Sequence, residues 1–195
     1  MSDNGALAGA FVGHKIKELA RQNDSSTKAT LAKLRRGIGR VPGSVPELWQ
    51  ATMEGLPEAL CGTGDPTIGE WAVHTSLTLF ALHQQGKDIK SQCMSREGTS
   101  LGMAVRGLVK NDDDMARVKR RFDAAATADS PTEFAHHLRG LVQLLKSEDI
   151  PLDYAALTRD LYWFQIPQAR DRVRLNWGRD FYRIRKDDVT NDELA

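Results

Sequence analysis

Cysteine is nearly absent from the sequence, since Cys61 and Cys93 are the only two in 195 residues. They lack the spacing of metal ligands, and two thiols in a chain of this length exclude a disulfide-based scaffold and fit a reducing compartment. Long apolar runs are also absent, because none approaches the roughly 18–20 residues that a membrane-spanning helix needs. The apolar stretch at residues 6–12 has no basic residue before it, which is the wrong order for a signal peptide. We therefore expect a soluble, cytoplasmic protein.

The chain also lacks an excess of charge of either sign. Its 27 lysines and arginines are offset by 26 acidic residues, which leaves a formal net charge of +1. Bulk charge therefore does not indicate a nucleic-acid partner, and any argument for one depends on where the charges lie. With 41% hydrophobic and 27% charged residues, the composition is that of a globular protein and excludes an intrinsically disordered chain.

Alternating, strand-like patterns are almost absent as well, while helical periodicity recurs in segment after segment. The sequence therefore predicts an all-α fold. Residues 37–46, rich in glycine and proline, are predicted to form a loop, and the polar residues 86–99 a linker with little to bury. The helices predicted in the first half cover residues 6–21, about 45–54 and 68–85. A further helix is predicted to begin near Thr27, which can cap it, and to run to Gly37.

Helix starts are clearer in the second half. Residues 130–133 combine an N-cap serine, a proline at the first helical position and a capping-box glutamate. Pro151 followed by Asp153 starts a further helix, and Pro167 opens the last helix. We predict two small helical bundles joined by a short linker, one at residues 1–92 and the other at 93–195.

The reactive residues form no convincing catalytic or metal-binding arrangement. His136 and His137 are adjacent, so on a helix their side chains diverge by about 100° and cannot bind one metal ion together. His74 and His83 also have a poor spacing for ligands. The acidic run Asp112–Asp114 precedes an apolar-periodic segment, where it is better suited to complementing a helix dipole. We expect no enzyme activity, no metal and no cofactor.

Three consecutive aromatic residues occupy 162–164. Because neighbouring positions on a helix point in different directions, at least one ring is expected to face outward. Such a ring could stack on a base, although a core cluster or a subunit interface would use the same residues.

The last predicted helix has the most asymmetric charge. Only Asp171 and Asp180 offset seven basic residues within it. On a helical projection the apolar face consists of Ile166, Ala169, Val173, Trp177, Phe181 and Ile184. One flank of this face carries Arg172, Arg179, Arg183 and Lys186, and the other carries Arg170, Arg174 and Arg185.

Two other segments repeat this pattern. The first spans residues 112–126, where Met115, Val118 and Phe122 form an apolar face. The opposite face of that segment carries Arg117, Arg120 and Arg121. The second segment, residues 28–40, contains five basic residues and no acidic one, namely Lys28, Lys33, Arg35, Arg36 and Arg40.

Three basic clusters in a nearly neutral chain imply that acidic residues are concentrated elsewhere, partly in Asp112–Asp114 and partly in the tail from Asp187 to Glu193. We infer a dipolar surface whose basic face can follow a phosphate backbone. Arginine suits phosphate contacts but is also common at protein interfaces. The residues alone therefore leave three uses open: nucleic-acid binding, contacts with acidic protein partners, and a solvated face with i,i+4 ion pairs.

Six short motifs lie in order along the chain, and their order and spacing resemble those of the CasB family, the small subunit of the type I-E CRISPR complex Cascade. Residues 41–75 resemble the family least. The motifs are Leu34-Arg35-Arg36, Ser100-Leu101-Gly102 with Ala104 and Arg106, Arg120-Arg121-Phe122, Leu138-Arg139-Gly140-Leu141, Pro151-Leu152-Asp153-Tyr154 and Trp177-Gly178-Arg179-Asp180-Phe181-Tyr182.

The resemblance implies a two-domain helical protein without catalytic activity. In the family, two copies stack head to tail along a crRNA-bearing complex, contact its backbone subunits and large subunit, and help to hold the displaced strand and the target heteroduplex of the opened DNA. The alternative is a helical scaffold whose arginines meet acidic proteins instead. By the family match, contacts with the nucleic-acid backbone are expected from Arg35, Arg36, Arg106, Arg120, Arg121 and Arg139. Arg170, Arg172 and Arg174 match the family more loosely. The basic flank of the last helix adds Arg179 and Arg183.

Overall fold

A computed structural model describes residues 3–183, and it confirms the all-α fold. In this range the only strand-like pairing is an isolated bridge between Ser95 and Leu152. Two short 3-10 helices, Pro46–Leu48 and Glu58–Leu60, accompany the α-helices. The α-helices are α1 (Asn4–Arg21), α2 (Asp24–Arg36), α3 (Trp49–Thr52), α4 (Ile68–His83), α5 (Leu101–Arg106), α6 (Asp112–Thr127), α7 (Pro131–Ser147), α8 (Tyr154–Phe164) and α9 (Pro167–Tyr182).

Side-chain caps start most of these helices where the sequence places them. Ser130 accepts a hydrogen bond from the backbone N–H of Glu133 at the start of α7, and Asp153 accepts one from Ala156 at the start of α8. The predicted cap of α2 was wrong, because Asn23 caps that helix and Thr27 lies inside it. The Thr27 hydroxyl is buried and bonds to the carbonyl of Leu19, so it fastens α2 to the end of α1.

Helix α4 is the central element of the fold. Thirteen of its sixteen residues are buried, on all sides of the helix. Helices α1, α2, α7 and α8 all pack against it. A capping box between Thr67 and Glu70 satisfies the backbone groups at its start. A helix that is apolar all round must be enclosed by others, and α4 organises the surrounding helices in this way.

Helices α1 and α8 make the most extensive helix–helix contact. Gly5, Gly9 and Gly13 recur every four residues on the side of α1 that faces α8. A Cβ atom at Gly9 would lie 2.5 Å from the carbonyl oxygen of Ala155, so only glycine permits this separation of the two backbones. The contact joins the first helix of the chain to one near its end.

Residues 86–99 are non-helical, as predicted, but they are packed and not loose. Ile89 and Met94 are buried, and the Gln84 amide bonds to the backbone of Lys87, Gln92 and Met94. The prediction that this segment has little to bury was therefore wrong. The buried hydrophobic residues on both sides of it belong to one cluster. The division into bundles at residues 92 and 93 stays a prediction.

An aromatic stack beneath α9 fixes the position of that helix. The Trp177 ring packs against both Phe134 of α7 and Phe164 of α8, with ring centres 5.6 and 5.4 Å away, and the two phenyl rings also stack on each other at 4.4 Å. Its indole N–H donates to Asp160 Oδ2 at 2.7 Å. On another side, Gly102 of α5 lies so close to the α9 backbone that a Cβ atom there would collide with it. Helices α5, α7 and α8 therefore set the rotation of α9 about its axis.

No helix in residues 3–183 is long and apolar enough to span a membrane.

Candidate nucleic-acid interface

The apolar face predicted for the last helix is confirmed in α9. Ala169, Val173, Trp177 and Phe181 are all buried, and Ile166 is the half-buried N-cap residue. Since the rotation of the helix is fixed by these side chains, the two basic flanks lie on either side of the buried stripe. The predicted members Ile184, Arg185 and Lys186, and the acidic tail, lie outside the described residues.

Arg170 and Arg174, on one flank of α9, point back into the fold. Arg170 Nε donates to the carbonyl of Phe164, the last residue of α8, at 2.9 Å. Arg174 Nε donates to the carbonyl of Ala126, in the last turn of α6, at 2.6 Å. The last carbonyls of a helix have no partner within it and carry the negative end of its dipole, so a guanidinium there satisfies both needs.

The Phe164 ring supports the same two guanidiniums. The central carbon of Arg170 lies 5.2 Å from the ring centre and that of Arg174 lies 5.5 Å away. Arg174 also pairs with Asp171 at 3.3 Å. Both arginines are half-buried. Their contacts are those of structural side chains that hold α9 against α6 and α8, which leaves less of each guanidinium for a phosphate.

On the other flank, Arg172, Arg179 and Arg183 are exposed. Arg172 lies over the Trp163 ring at 5.7 Å, and Arg183 pairs with Asp180 at 3.5 Å. Arg179 has no acidic partner within residues 3–183. This flank presents its charge to solvent, and of the two it is the one that a phosphate backbone can reach.

Helix α6 separates its charges along its length. Asp112, Asp113 and Asp114 form the first turn, which Asn111 caps, so the acidic run complements the helix dipole as expected. Arg117 is neutralised by Asp114 at 2.6 Å. Arg120 and Arg121, one turn further on, are exposed and form no ion pair with any described residue.

The basic segment at residues 28–40 is less free than its sequence indicates. Arg36 bonds to both carboxylate oxygens of Glu47 at 3.2 and 3.1 Å, although Glu47 lies eleven residues away and outside the segment. Arg35 is half-buried without an acidic partner in the described part of the chain. Lys28 and Arg40 are exposed.

Arg106 and Arg139 complete the eleven candidates. Arg106 is half-buried in the last turn of α5, and Arg139 is exposed on α7. Neither forms an ion pair within residues 3–183. The exposed candidates that lack an acidic partner there are Arg120, Arg121, Arg139, Arg172 and Arg179.

The histidines are either buried side chains with a structural role or side chains near the surface. His83 is fully buried and shares a 3.1 Å hydrogen bond between its Nδ1 and the Tyr154 hydroxyl. Burial lowers the pKa of His83 to about 4, so it is neutral at physiological pH. His74 bonds through Nε2 to the carbonyl of Gly37 at 3.0 Å, and burial lowers its pKa as well. Among the described residues no cluster of three or more His, Cys, Asp or Glu side chains could hold a metal ion.

The aromatic run is mostly packed. Phe164 is buried, and Tyr162 and Trp163 are half-buried. Trp163 lies against Gly5 of α1.

Two exposed apolar side chains of α9 were not identified from the sequence. They are Leu175 and Tyr182, which are 52% and 60% exposed. Their spacing of seven residues, interleaved with Arg172 and Arg179, was the signal that could have revealed them.

Comparison with known proteins connects this arrangement to one family. The family model described as CRISPR-associated protein Cse2 matches residues 30–182. The crystal structure of CasB from Thermobifida fusca is similar with a TM-score of 0.77 and 33% identity, over 91% of this chain and 98% of that chain. CasB from Thermus thermophilus is similar with a TM-score of 0.68 and 25% identity, over 90% and 97%. No curated protein matches. Because the family model covers most of the chain, this protein belongs to the Cse2 family of CRISPR-associated proteins, in agreement with its resemblance to CasB.

Proposed function

We propose that this protein is the non-catalytic small subunit of a type I-E Cascade complex, the crRNA-guided antiviral complex, and that it binds nucleic-acid backbone and stabilises the R-loop. The observation that carries this proposal is the set of exposed arginines on α6, α7 and α9 that have no acidic partner among residues 3–183, in a chain of the Cse2 family. Its nucleic-acid partners are the displaced strand and the target heteroduplex.

Formation of an R-loop is nearly balanced in free energy. The heteroduplex that forms is about as stable as the DNA duplex that it replaces, so modest contacts with the opened strands shift the equilibrium. Phosphate contacts position a protein without reading sequence, and arginines exposed on helix surfaces serve that purpose. The other partners are the backbone subunits and the large subunit of the complex, and two copies of this chain are present in it.

Assembly is the first test of this proposal. The chain is co-expressed with the other subunits of the interference complex and purified through a tag on this chain, and bound RNA is sequenced. We expect a stoichiometric assembly carrying repeat-spacer RNA. Recovery of this chain alone and free of RNA would overturn the proposed role.

A matched pair of double variants tests the phosphate contacts. Arg120→Gln with Arg121→Gln removes two charges that form no ion pair with any described residue, whereas Lys90→Gln with Lys110→Gln removes two charges that are paired with Asp24 and Glu148. In the assembled complex we expect the first pair to weaken DNA binding and to lower the slope of log K against log salt by about two. We expect the control to change that slope much less. Equal slopes in the two variants would mean that α6 does not contact DNA.

Crosslinking separates this proposal from the scaffold alternative. If the arginines meet acidic proteins, crosslinks from the assembled complex will join α6 and α9 to protein subunits alone. Adducts between these helices and DNA are the result that we expect.

A further inference from the structure

Four side chains form a continuous stripe along the solvent side of α9. Arg172, Leu175, Arg179 and Tyr182 are separated by three, four and three residues, which places them on one side of an α-helix. All four are exposed, and they define the outer stripe of α9. Phosphate contacts alone do not require the two apolar members of this stripe.

The outer stripe is positioned by the core beneath it. Tyr182 meets the Phe181 ring edge to face, with centres 4.9 Å apart, and Phe181 stacks on Phe122 of α6 at 5.3 Å. The Tyr182 ring is therefore held at its base while 60% of the residue stays exposed. Leu175 lies two turns before it on the same side, so the stripe offers two apolar contact points about 10 Å apart along the helix axis.

Charge selects the occupant of this stripe. The stripe contains two guanidiniums and no carboxylate, and Arg179 has no acidic partner within residues 3–183. Asp171 and Asp180, the acidic residues of α9, are drawn to Arg174 and Arg183 beside the stripe. A cationic surface that interleaves arginines with an aromatic ring matches a strand with phosphates on one edge and unpaired bases on the other.

We propose that the outer stripe of α9 is a stacking platform for single-stranded nucleic acid, in which Arg172 and Arg179 contact phosphates, Tyr182 stacks on an unpaired base and Leu175 offers a second apolar contact. This inference rests on the proposed function and goes beyond it, because it adds base contacts to backbone contacts. A duplex keeps the faces of its bases stacked inside, so the platform prefers a displaced strand to paired DNA.

Three DNA ligands test the platform on the full-length protein by fluorescence anisotropy. They are a labelled single strand, a duplex of the same sequence, and a single strand of equal length whose bases are replaced by abasic sites. We expect the wild-type protein to bind the normal single strand most tightly. Tyr182→Ala lowers that affinity about 5- to 100-fold, the usual range for losing one base stack, and leaves the duplex and abasic affinities unchanged.

Two control variants test whether the effect depends on the aromatic ring and on its position in α9. Tyr182→Phe keeps the ring and retains the preference for the single strand. Trp49→Ala removes an aromatic side chain that is 50% exposed on a different helix and leaves all three affinities unchanged. Thermal unfolding of each variant checks that the fold is intact.

The outcomes separate this inference from the proposed function. If Tyr182→Ala lowers all three affinities equally, or none of them, the platform is wrong, and the response to Arg120→Gln with Arg121→Gln still reports on the phosphate contacts. If Tyr182→Ala leaves all three affinities unchanged but prevents recovery of the assembled complex, the stripe is a protein interface. If a single strand with iodouracil forms a photo-crosslink to the peptide that contains Tyr182, the platform is supported by a second measurement.

Discussion

Helix α9 carries arginines on two sides, and the arginines of the two sides lie in different environments. Arg170 and Arg174 reach the carbonyl ends of α8 and α6, where partial negative charge and unpaired acceptors hold them. Arg172 and Arg179 are on the opposite flank and are exposed to solvent. The difference teaches that a cluster of arginines in a sequence is not one site, because the structural environment of each guanidinium decides whether it is available to a ligand.

The largest expected effect comes from the inner side of α9. Trp177→Ala empties a fully buried position against the rings of Phe134 and Phe164 and leaves Asp160 without its indole donor. We expect a loss of about 3–5 kcal/mol in the free energy of unfolding, measured by urea denaturation. Leu175→Ala, a truncation on the outer side, is the control and should change stability by less than about 0.5 kcal/mol. Similar losses of unfolding free energy in both variants would mean that the inner and outer sides of α9 contribute equally to stability.

A smaller effect is expected for the inward arginines. Arg174→Ala leaves the Ala126 carbonyl and the end of α6 without a cation, which costs about 1–3 kcal/mol of stability. Salt-dependent DNA binding by the folded variant, measured under native conditions, should remain close to that of the wild type. If binding drops while stability is unchanged, Arg174 belongs with the outward arginines.

Protonation of Asp160 beneath α9 and of His83 in α4 has an effect on stability that is smaller again. Burial raises the pKa of Asp160 from its ordinary value of 3.8 to about 6, while the Trp177 hydrogen bond partly opposes the shift. The folded protein thus binds this proton more tightly than the unfolded chain, so this group adds stability as pH falls from 6 to 4. His83 has the opposite sign, because its pKa is lowered to about 4 and stability is lost as pH falls from 6.5 to 4.

Asp160→Asn removes one of these two opposing effects. The asparagine oxygen still accepts the Trp177 hydrogen bond, while the contributions of His83 and of His74, whose pKa burial also lowers, remain. Relative to the wild type, we expect the variant to lose about 1–2 kcal/mol more stability between pH 7 and pH 4, measured by denaturation at several pH values. Parallel pH profiles for the two proteins would show that Asp160 titrates normally.

The smallest expected effect on stability comes from the outward arginines. Arg172→Ala with Arg179→Ala should leave the thermal unfolding midpoint nearly unchanged, since neither side chain hydrogen-bonds to the backbone of residues 3–183. DNA affinity should fall and the salt slope should decrease by about two. An unchanged slope would mean that the outer flank of α9 does not contact DNA and would leave the arginines of α6 and α7 as the interface.

Much of the fold could be predicted from the sequence because its signals are local. The caps at Ser130 and Asp153, the proline at the start of α9 and the buried stripe of α9 all depend on residues within two turns of each other. Helical periodicity also indicated correctly that Arg120 and Arg121 face away from the apolar side of α6. The start of α2 was missed because Asn23 and Thr27 are both plausible caps, and contact with Leu19 distinguishes them.

The candidate site was less predictable because its outcome depends on distant partners. The pairing of Arg36 with Glu47 crosses a loop, and the capping of α6 by Arg174 joins residues 48 positions apart. The burial of Ile89 and Met94 likewise depends on neighbours outside the polar segment 86–99. None of these contacts leaves a periodic pattern in the residues that make it.

The sequence by itself determined the helical class and the family. It also determined on which side of each helix the basic residues lie, because periodicity and caps act over a few residues. Only the tertiary structure decided which helix ends meet α9, how closely Gly9 approaches Ala155 and which arginines remain unpaired. The physical reason is that a helical projection gives the direction of a side chain, while its hydrogen bonds depend on what another part of the chain brings to that place.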